Sequence, residues 1–400
     1  MVKGNLFRYL SIFLALNTCL YLFIFFFNGK VAFNKFDYSA AYHFFQDPRF
    51  AGGKFDFLKS LAVFDSQWYL KIADTGYPKV NGSLPLAKMT PEKEPSYAFF
   101  PLYPLTINLL NRFIKDTLLT SFIFNNFLLL VNFVLFFNLV KDISNKKLAL
   151  KTVFLYFLFP LTIFYRSFYT EGLILMLLLL FATFMLKKNY LFAAAALGFL
   201  MVVKGISFPL LPLLVLFYLR NDREKKITGK IIKIIEIVFV SLFPLSLWLY
   251  FCNSSTGDPF FFVKVRYFWV HNNIPFLSST SPMVFFLNNL YNIVELPFLS
   301  FHLFYSSKVD VIVTFVVLFL LLKSWKKIPV ELWWISCLIW IFPLVSTSYI
   351  GYSRYQVISF PLFYYLAKYL PNKVYYLLLG IFFIGLFWLS LYFVNWYWVG

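Results

Sequence analysis

Among 400 residues, few side chains could move a proton or hold an anion, and the most telling of them is Asp65. It stands in Leu58–Tyr77, LKSLAVFDSQWYLKIADTGY. Wound as one helix at about 100° per residue, Leu58, Leu61, Trp68, Tyr69, Ile72 and Gly76 fall within roughly 40° of Asp65. Asp74 falls opposite, with Lys59, Val63 and Lys71 nearer its side. A carboxylate on the apolar face must be paired, protonated or doing chemistry, because an unpaired buried charge costs several kcal/mol. Two readings stay open for Asp65: a helix-capping or ion-paired residue, or a general base facing a cavity at the membrane edge.

Further charges stand at short turns between apolar runs. Arg166 and Glu171 flank Ser167-Phe-Tyr-Thr170, where they could act on a ligand or simply neutralise each other. Lys204 sits in an otherwise apolar stretch, and Arg354 follows Gly351-Tyr-Ser; snorkelling to lipid head groups is the alternative for both. A carboxylate base with several cations is what transfer of a sugar away from a phosphate leaving group requires. His43, His271 and His302 share no metal-ligand spacing, and Cys19, Cys252 and Cys337 are too scattered for a disulfide framework or a metal cluster. Glycine loops that cradle phosphate, nucleotide-binding fingerprints and nucleophile elbows are all missing, so soluble nucleotide-sugar chemistry has no visible home.

The elements that must position these residues are apolar helices. The chain is 61% hydrophobic, 23% aromatic and only 13% charged, with a mean hydropathy of +0.74, far from a soluble domain. A net charge of +19 would suggest nucleic acid in a soluble protein, but here the lysines cluster in short connections, as the positive-inside rule demands. About eleven spans are expected, near 8–28, 118–140, 148–165, 171–187, 190–206, 207–219, 234–252, 308–323, 330–349, 354–370 and 374–394. Lys3 and Arg8 precede the apolar run of the first of them, Leu10 to Phe27, which is long enough to span and reads as an uncleaved helix.

With the N-terminus cytoplasmic, every short basic connection falls on the cytoplasmic side, and two long connections, 29–117 and 253–307, fall outside. Both are rich in aromatic residues, so short interfacial helices are expected in each. The fold class expected is an all-α polytopic membrane protein, one domain over 1–400. By this topology Asp65, Arg166, Glu171, Lys204, Lys264, Arg266 and Arg354 all reach one extracytoplasmic face. Neither an internal repeat nor a low-complexity tract is visible.

Phe64-Asp65-Ser-Gln-Trp68-Tyr69-Leu-Lys-Ile72-Ala73-Asp-Thr-Gly76-Tyr77 and Phe99-Phe100-Pro101-Leu-Tyr103-Pro104-Leu105 form an ordered series with Tyr169-Thr170-Glu171, Gly257-Asp258-Pro259 followed by Phe262 and Trp269, and Ser353-Arg354-Tyr355 leading to Phe360-Pro361. Over nearly the whole chain this series resembles the PIG-V-like mannosyltransferases of glycosylphosphatidylinositol assembly and their prokaryotic relatives, within the GT-C superfamily of polytopic glycosyltransferases. The resemblance implies a GT-C-like bundle and an inverting transfer of one sugar, mannose by family, from a polyprenyl-phosphate donor to a lipid-linked or other glycan acceptor. It implies Asp65 as catalytic base, Glu171 as a second acidic group near the acceptor or donor phosphate, and Arg354 as ligand of the lipid phosphate; Lys204 and Arg166 are expected to join Arg354 in stabilising the departing charge. Trp68, Tyr69, Tyr77, Tyr103, Tyr169 and Tyr355 would line the pocket.

Phe64 stands where the family usually has Trp, Gly172 where it has Ser, and Lys204-Gly205 where an Arg-Pro pair is common. No Asp-x-Asp occurs at Asp65, so no metal ligands follow and a divalent cation stays open as cofactor. Expected partners are the lipid donor, the acceptor and membrane lipids, with no nucleic acid. Abundant Lys, Asn, Phe and Leu with scarce Ala point to a prokaryotic plasma membrane, or the ER membrane in a eukaryote. A lipid or solute transporter, and a polymerase or ligase of lipid-linked glycans, are the competing functions.

Overall fold

A computed structural model describes residues 2–84, 88–90, 93–221, 227–265, 282–298, 307–346 and 351–400. Arg266, Trp269, His271 and His302 lie outside the described residues. In so apolar a chain the backbone satisfies its own hydrogen bonds as helix, and no strand occurs among the described residues. The first part holds α1 (Val2–Phe27), α2 (Lys35–Ala40), α3 (Phe57–Ser60), α4 (Asp65–Thr75) and α5 (Leu102–Ile114). The middle holds α6 (Thr117–Ile143), α7 (Lys146–Phe157), α8 (Glu171–Leu186), α9 (Tyr190–Met201), α10 (Leu210–Asn221) and α11 (Ile227–Thr256). The last part holds α12 (Pro282–Tyr291), α13 (Lys308–Ser324), α14 (Val330–Ser346), α15 (Tyr352–Gln356), α16 (Phe360–Tyr369) and α17 (Asn372–Val394).

Starts are set by short polar side chains that accept from the first free amides. Asp116 accepts from Leu119 N at the head of α6, Asn145 from Leu148 N at α7, and Ser307 closes a capping box with Asp310 at α13. Among the described residues, four helices are long and apolar enough to cross a membrane: Phe7–Lys30, Thr117–Ile143, Ile227–Thr256 and Asn372–Val394. Only 17% of the apolar window in α11 and 22% of that in α1 is buried inside the protein. Apolar faces of that extent need hydrocarbon around them.

Several runs read as single spans are broken. The run 148–165 is α7 followed by a 3-10 turn, Pro160–Tyr165, because Pro160 has no amide to continue the helix. The run 354–370 divides into α15 and α16, with Pro361 in the first turn of the second. The run 190–206 ends as helix at Met201 and resumes as a 3-10 turn, Gly205–Ser207.

Leu58–Tyr77 is likewise not one helix. Asp56 caps α3 by accepting from Lys59 N, the chain leaves helix at Leu61, and Phe64 carries φ 49° before α4 begins at Asp65. Tertiary packing overrides the periodicity here: Leu61, Ala62 and Val63 are wholly buried, and the Phe64 ring meets Trp396 and Trp398 edge-on. Asp65 therefore faces where the helix start puts it. Within α4 the expected face survives, with Trp68, Tyr69 and Ile72 buried, and Asp74 turns away to accept from Thr117 Oγ1.

After α17 the segment Asn395–Gly400 folds back under the first long connection. Arg49 donates to Asn395 Oδ1 at 2.6 Å and to the Val394 carbonyl at 2.7 Å, and Asn34 N donates to the Asn395 carbonyl. Trp396 is fully buried between Tyr38, His43 and Phe64.

Candidate active site

Four separate elements each deliver one charge. Asp65 is the first residue of α4. Glu171 is the first residue of α8, after a turn held on three sides. The Asn125 amide donates to the Ser167 carbonyl, Asn132 Nδ2 donates to the Gly172 carbonyl at 2.8 Å, and Tyr169 Oη donates to the Val63 carbonyl at 3.1 Å. That last bond ties the Glu171 turn to the connection just ahead of Asp65. Lys204 is an extended residue between α9 and the 3-10 turn Gly205–Ser207.

Arg354 is carried by α15, one short turn of helix that needs outside support. Ser353 Oγ donates to Asp310 Oδ1 at 2.6 Å and Tyr352 Oη donates to the Trp340 carbonyl at 2.9 Å, anchoring the turn to α13 and α14. Gly351 starts it with φ 73°, and a Cβ there would lie 3.0 Å from the Trp398 ring, so both backbone and space call for glycine.

The four side chains form an alternating chain of charge. Arg354 Nη1 donates to Asp65 Oδ2 at 2.9 Å, Arg354 Nε lies 3.4 Å from Glu171 Oε1, and Lys204 Nζ donates to the same Oε1 at 3.0 Å. Two acids face two cations, which offsets much of the desolvation cost that either sign would carry alone. Glu171 Oε2 is buried without a hydrogen-bond partner among the described residues. The guanidinium is walled by the rings of Phe164, Tyr169, Tyr355 and Trp398, each 5.3 to 5.5 Å from its carbon, and Lys204 Nζ lies 4.7 Å from the Tyr355 ring centre. Such ring faces favour a desolvated cation.

Exposure rises along the cluster, from 3% for the Glu171 side chain and 7% for Arg354 to 16% for Lys204 and 32% for Asp65. Asp65, Lys204 and Arg354 open on a cavity of about 220 Å³ that Tyr69, Phe99, Phe208, Phe342 and Tyr355 help to line. Burial, reinforced by the carboxylates of Asp65 and Glu171, holds the Tyr69 phenol well above its usual range, so it stays a neutral hydroxyl.

The structure thus brings together Asp65, Glu171, Lys204 and Arg354, with Tyr69 and Tyr355 at the cavity and Tyr169 under the guanidinium. Three of the expected pocket aromatics stand one layer back. Trp68 stacks between Tyr42 and Phe99, Tyr77 donates to the Phe99 carbonyl, and Tyr103 bonds to Asn125 behind Tyr69.

Arg166 does not join the cluster and does not pair with Glu171. Its guanidinium is buried against Asn17 Oδ1 of α1, both oxygens of Thr162 and the Phe157 carbonyl, where it closes the backbone break after α7. Lys264 also stays away, donating to the Gly82 carbonyl. His43 is a hydrogen-bonded loop residue, with Nε2 2.6 Å from the Tyr38 carbonyl. Trp398, Phe164 and Asp310, the anchor of Ser353, are parts of the site that the sequence reading did not single out; they matter only once the chain has closed.

The described residues contain no group of three or more His, Cys, Asp or Glu placed to hold a metal ion. Asp65 and Glu171 are already paired with Arg354 and Lys204. Fold and site together define an all-α, membrane-type protein with a buried charge cluster opening on one cavity. Comparison with known proteins finds no matching family model and no matching curated protein.

Proposed function

We propose that this chain is an inverting glycosyltransferase of the GT-C type, moving one sugar, mannose by its resemblance, from a polyprenyl-phosphate donor to a lipid-linked or glycan acceptor. The observation that carries this reading is the pairing of Asp65 with Arg354 across 289 positions of chain, at a cavity shared with Lys204. In this reading the helices form an eleven-span bundle with a cytoplasmic N-terminus, and the cavity opens on the extracytoplasmic side.

The acceptor hydroxyl gives its proton to Asp65 as its oxygen bonds to the anomeric carbon, while the bond from that carbon to the phosphate oxygen breaks and polyprenyl phosphate leaves. Arg354 and Lys204 take up the charge that grows on the departing phosphate, and Glu171 holds the two cations in place. A cavity of about 220 Å³ is small beside the roughly 300–1,000 Å³ of drug-sized sites, which suits one sugar rather than an oligosaccharide. A transporter would want polar residues near the middle of several spans and related halves, whereas no internal repeat is visible and Asp65, Lys204 and Arg354 meet at one cavity.

The test is to incubate purified protein with labelled mannosyl polyprenyl phosphate and a mixture of membrane glycolipid acceptors, then separate single-sugar products from polymers. Asp65→Asn is expected to lower turnover by about 10² to 10⁴ with the thermal unfolding midpoint nearly unchanged. Transfer at the normal rate by a folded Asp65→Asn protein would remove Asp65 as base, and polymeric product would favour a polymerase.

A further inference from the structure

Lysines gather at the end of the molecule away from the charge cluster. Lys323, Lys326 and Lys327 stand where α13 turns into α14, Lys368 and Lys373 stand where α16 turns into α17, and Glu331 is the single acid on these two turns. Among the described residues no carboxylate lies within 4.0 Å of any of the five lysines. Phe342, at the charged cavity, stands three turns along α14 from Val330, about 18 Å at 1.5 Å per residue. The lysine face and the cavity are therefore separate places.

The two turns are pinned together, and their lysines with them. Tyr369 Oη donates to the Lys327 carbonyl at 3.4 Å. Lys327 Nζ lies 5.5 Å and Lys368 Nζ 5.2 Å from the centre of the same Tyr369 ring. Tyr365 stands beside Lys327 at 5.8 Å and Tyr364 beside Lys368 at 5.5 Å. An exposed ammonium gains little from a ring face, but these rings order two long side chains before any ligand arrives, which lowers the entropy cost of binding. Like charges drawn to one ring repel, and an anion set between them relieves that repulsion.

The surroundings are apolar. Leu322, Trp325, Trp334, Tyr369 and Tyr376 are exposed around the lysines, and α13 and α17 lead away as apolar helices. Tryptophan and tyrosine beside lysine mark the level of lipid head groups. A water-soluble anion would leave these side chains bare, whereas an amphiphile covers them with its chains while its phosphate meets the cations.

We propose that Lys327 and Lys368, held on the shared Tyr369 ring, form a site for the head-group phosphate of an anionic membrane phospholipid. The inference needs only a bilayer around these helices and stands apart from the transferase reading.

The test places full-length protein in phosphatidylcholine bilayers containing a minor share of phosphatidylglycerol with brominated chains, which quench nearby indoles. Trp325 is read as the difference between the protein and its Trp325→Phe variant. Phosphatidylglycerol is expected to be enriched at Trp325 over equally brominated phosphatidylcholine by about tenfold or more, since each engaged lysine contributes about fivefold. Lys327→Gln combined with Lys368→Gln should cut that enrichment by about tenfold. Tyr369→Ala keeps both charges but removes the ring they share, and should cut it by about threefold. Lys146→Gln combined with Lys147→Gln changes two exposed lysines at the head of α7, and should shift it by less than about twofold. All replaced side chains are exposed, and an unfolding scan accompanies each variant.

Equal enrichment of the two lipids overturns the proposal. So does an equal loss in both double lysine variants, which would reduce the site to diffuse positive charge. Recovery of Trp325 fluorescence on adding glycerol 3-phosphate would give the lysines to a soluble anion, and overturns it too.

Discussion

Arg354 is the residue on which both carboxylates depend, since among the described residues it is the cation paired with Asp65 and Glu171 together. Arg354→Ala would leave Glu171 buried with only Lys204, and breaking a buried pair from one side costs about 3–5 kcal/mol. Arg354→Lys keeps the charge but not the fork that reaches two acids at once. The expected outcome is a large fall in unfolding midpoint for Arg354→Ala, a smaller one for Arg354→Lys, and weakened lipid-phosphate binding in both. Thermal unfolding read beside binding checks this, and undiminished binding by Arg354→Lys would reassign the residue to structure.

His43 offers a test by pH. Burial holds its imidazole below its ordinary pKa of 6.5, so the fold takes the neutral ring, stacked 3.8 Å from Tyr38. As pH falls through 6.5 the unfolded chain binds a proton that the native ring resists, so stability present above that value is lost progressively below it. His43→Phe should flatten the decline in unfolding midpoint as the pH is lowered below about 6.5. At this scale the site was largely legible: acids and cations are so rare in the apolar runs that Asp65, Glu171, Lys204 and Arg354 stood out by type. Their partners did not, and Arg166, alike in composition, turned out to serve the backbone of the break after α7.

Among the elements, α9 and α11 pack through small residues. A Cβ at Gly198 would lie 2.9 Å from the Ser241 carbonyl and 3.1 Å from Pro244 Cδ, so the helices approach at the distance only glycine permits. Gly198→Ala must push them apart and is expected to destabilise by about 1–3 kcal/mol, as overpacking does, read as a lower unfolding midpoint; no change would mean that the interface yields freely. Because α9 ends just ahead of Lys204, the same variant should also weaken binding of lipid phosphate. Caps at Asp116 and Asn145 and breaks at Pro160 and Pro361 were written in residue type, although apolar runs continue across the prolines. The break at Phe64 was not legible, because no glycine or proline marks it. A phenylalanine at positive φ is held there by rings that arrive from the far end of the chain.

At the scale of the whole molecule, Asn395–Gly400 joins the first long connection to the charge cluster, and its two tryptophans divide that work. Trp396 is fully buried among Tyr38, His43 and Phe64, away from the guanidinium. Trp398 lies over Arg354, its ring centre 5.3 Å from the guanidinium carbon, and touches Phe64 and Phe164. No periodicity announces either role, since both rings are placed by contacts with Phe64, and Trp396 also by Tyr38 and His43, across more than 300 positions that depend on closure of the whole bundle. Trp396→Ala removes a core side chain and should cost about 3–5 kcal/mol, while on the proposed donor reading the lipid-phosphate affinity of the folded fraction should stay near normal. Trp398→Ala also removes a buried ring and should cost a comparable amount of stability, and it takes away in addition a ring face worth about 0.5–2 kcal/mol to the cation. It also frees the guanidinium to reorient, so on the proposed donor reading lipid-phosphate affinity and turnover should fall as well, which Trp396→Ala leaves near normal. Unfolding midpoints measured with phosphate affinities for both variants would expose the contrast. Equal effects on stability and binding in the two would mean that the segment acts only as packing and plays no separate part in aiming Arg354.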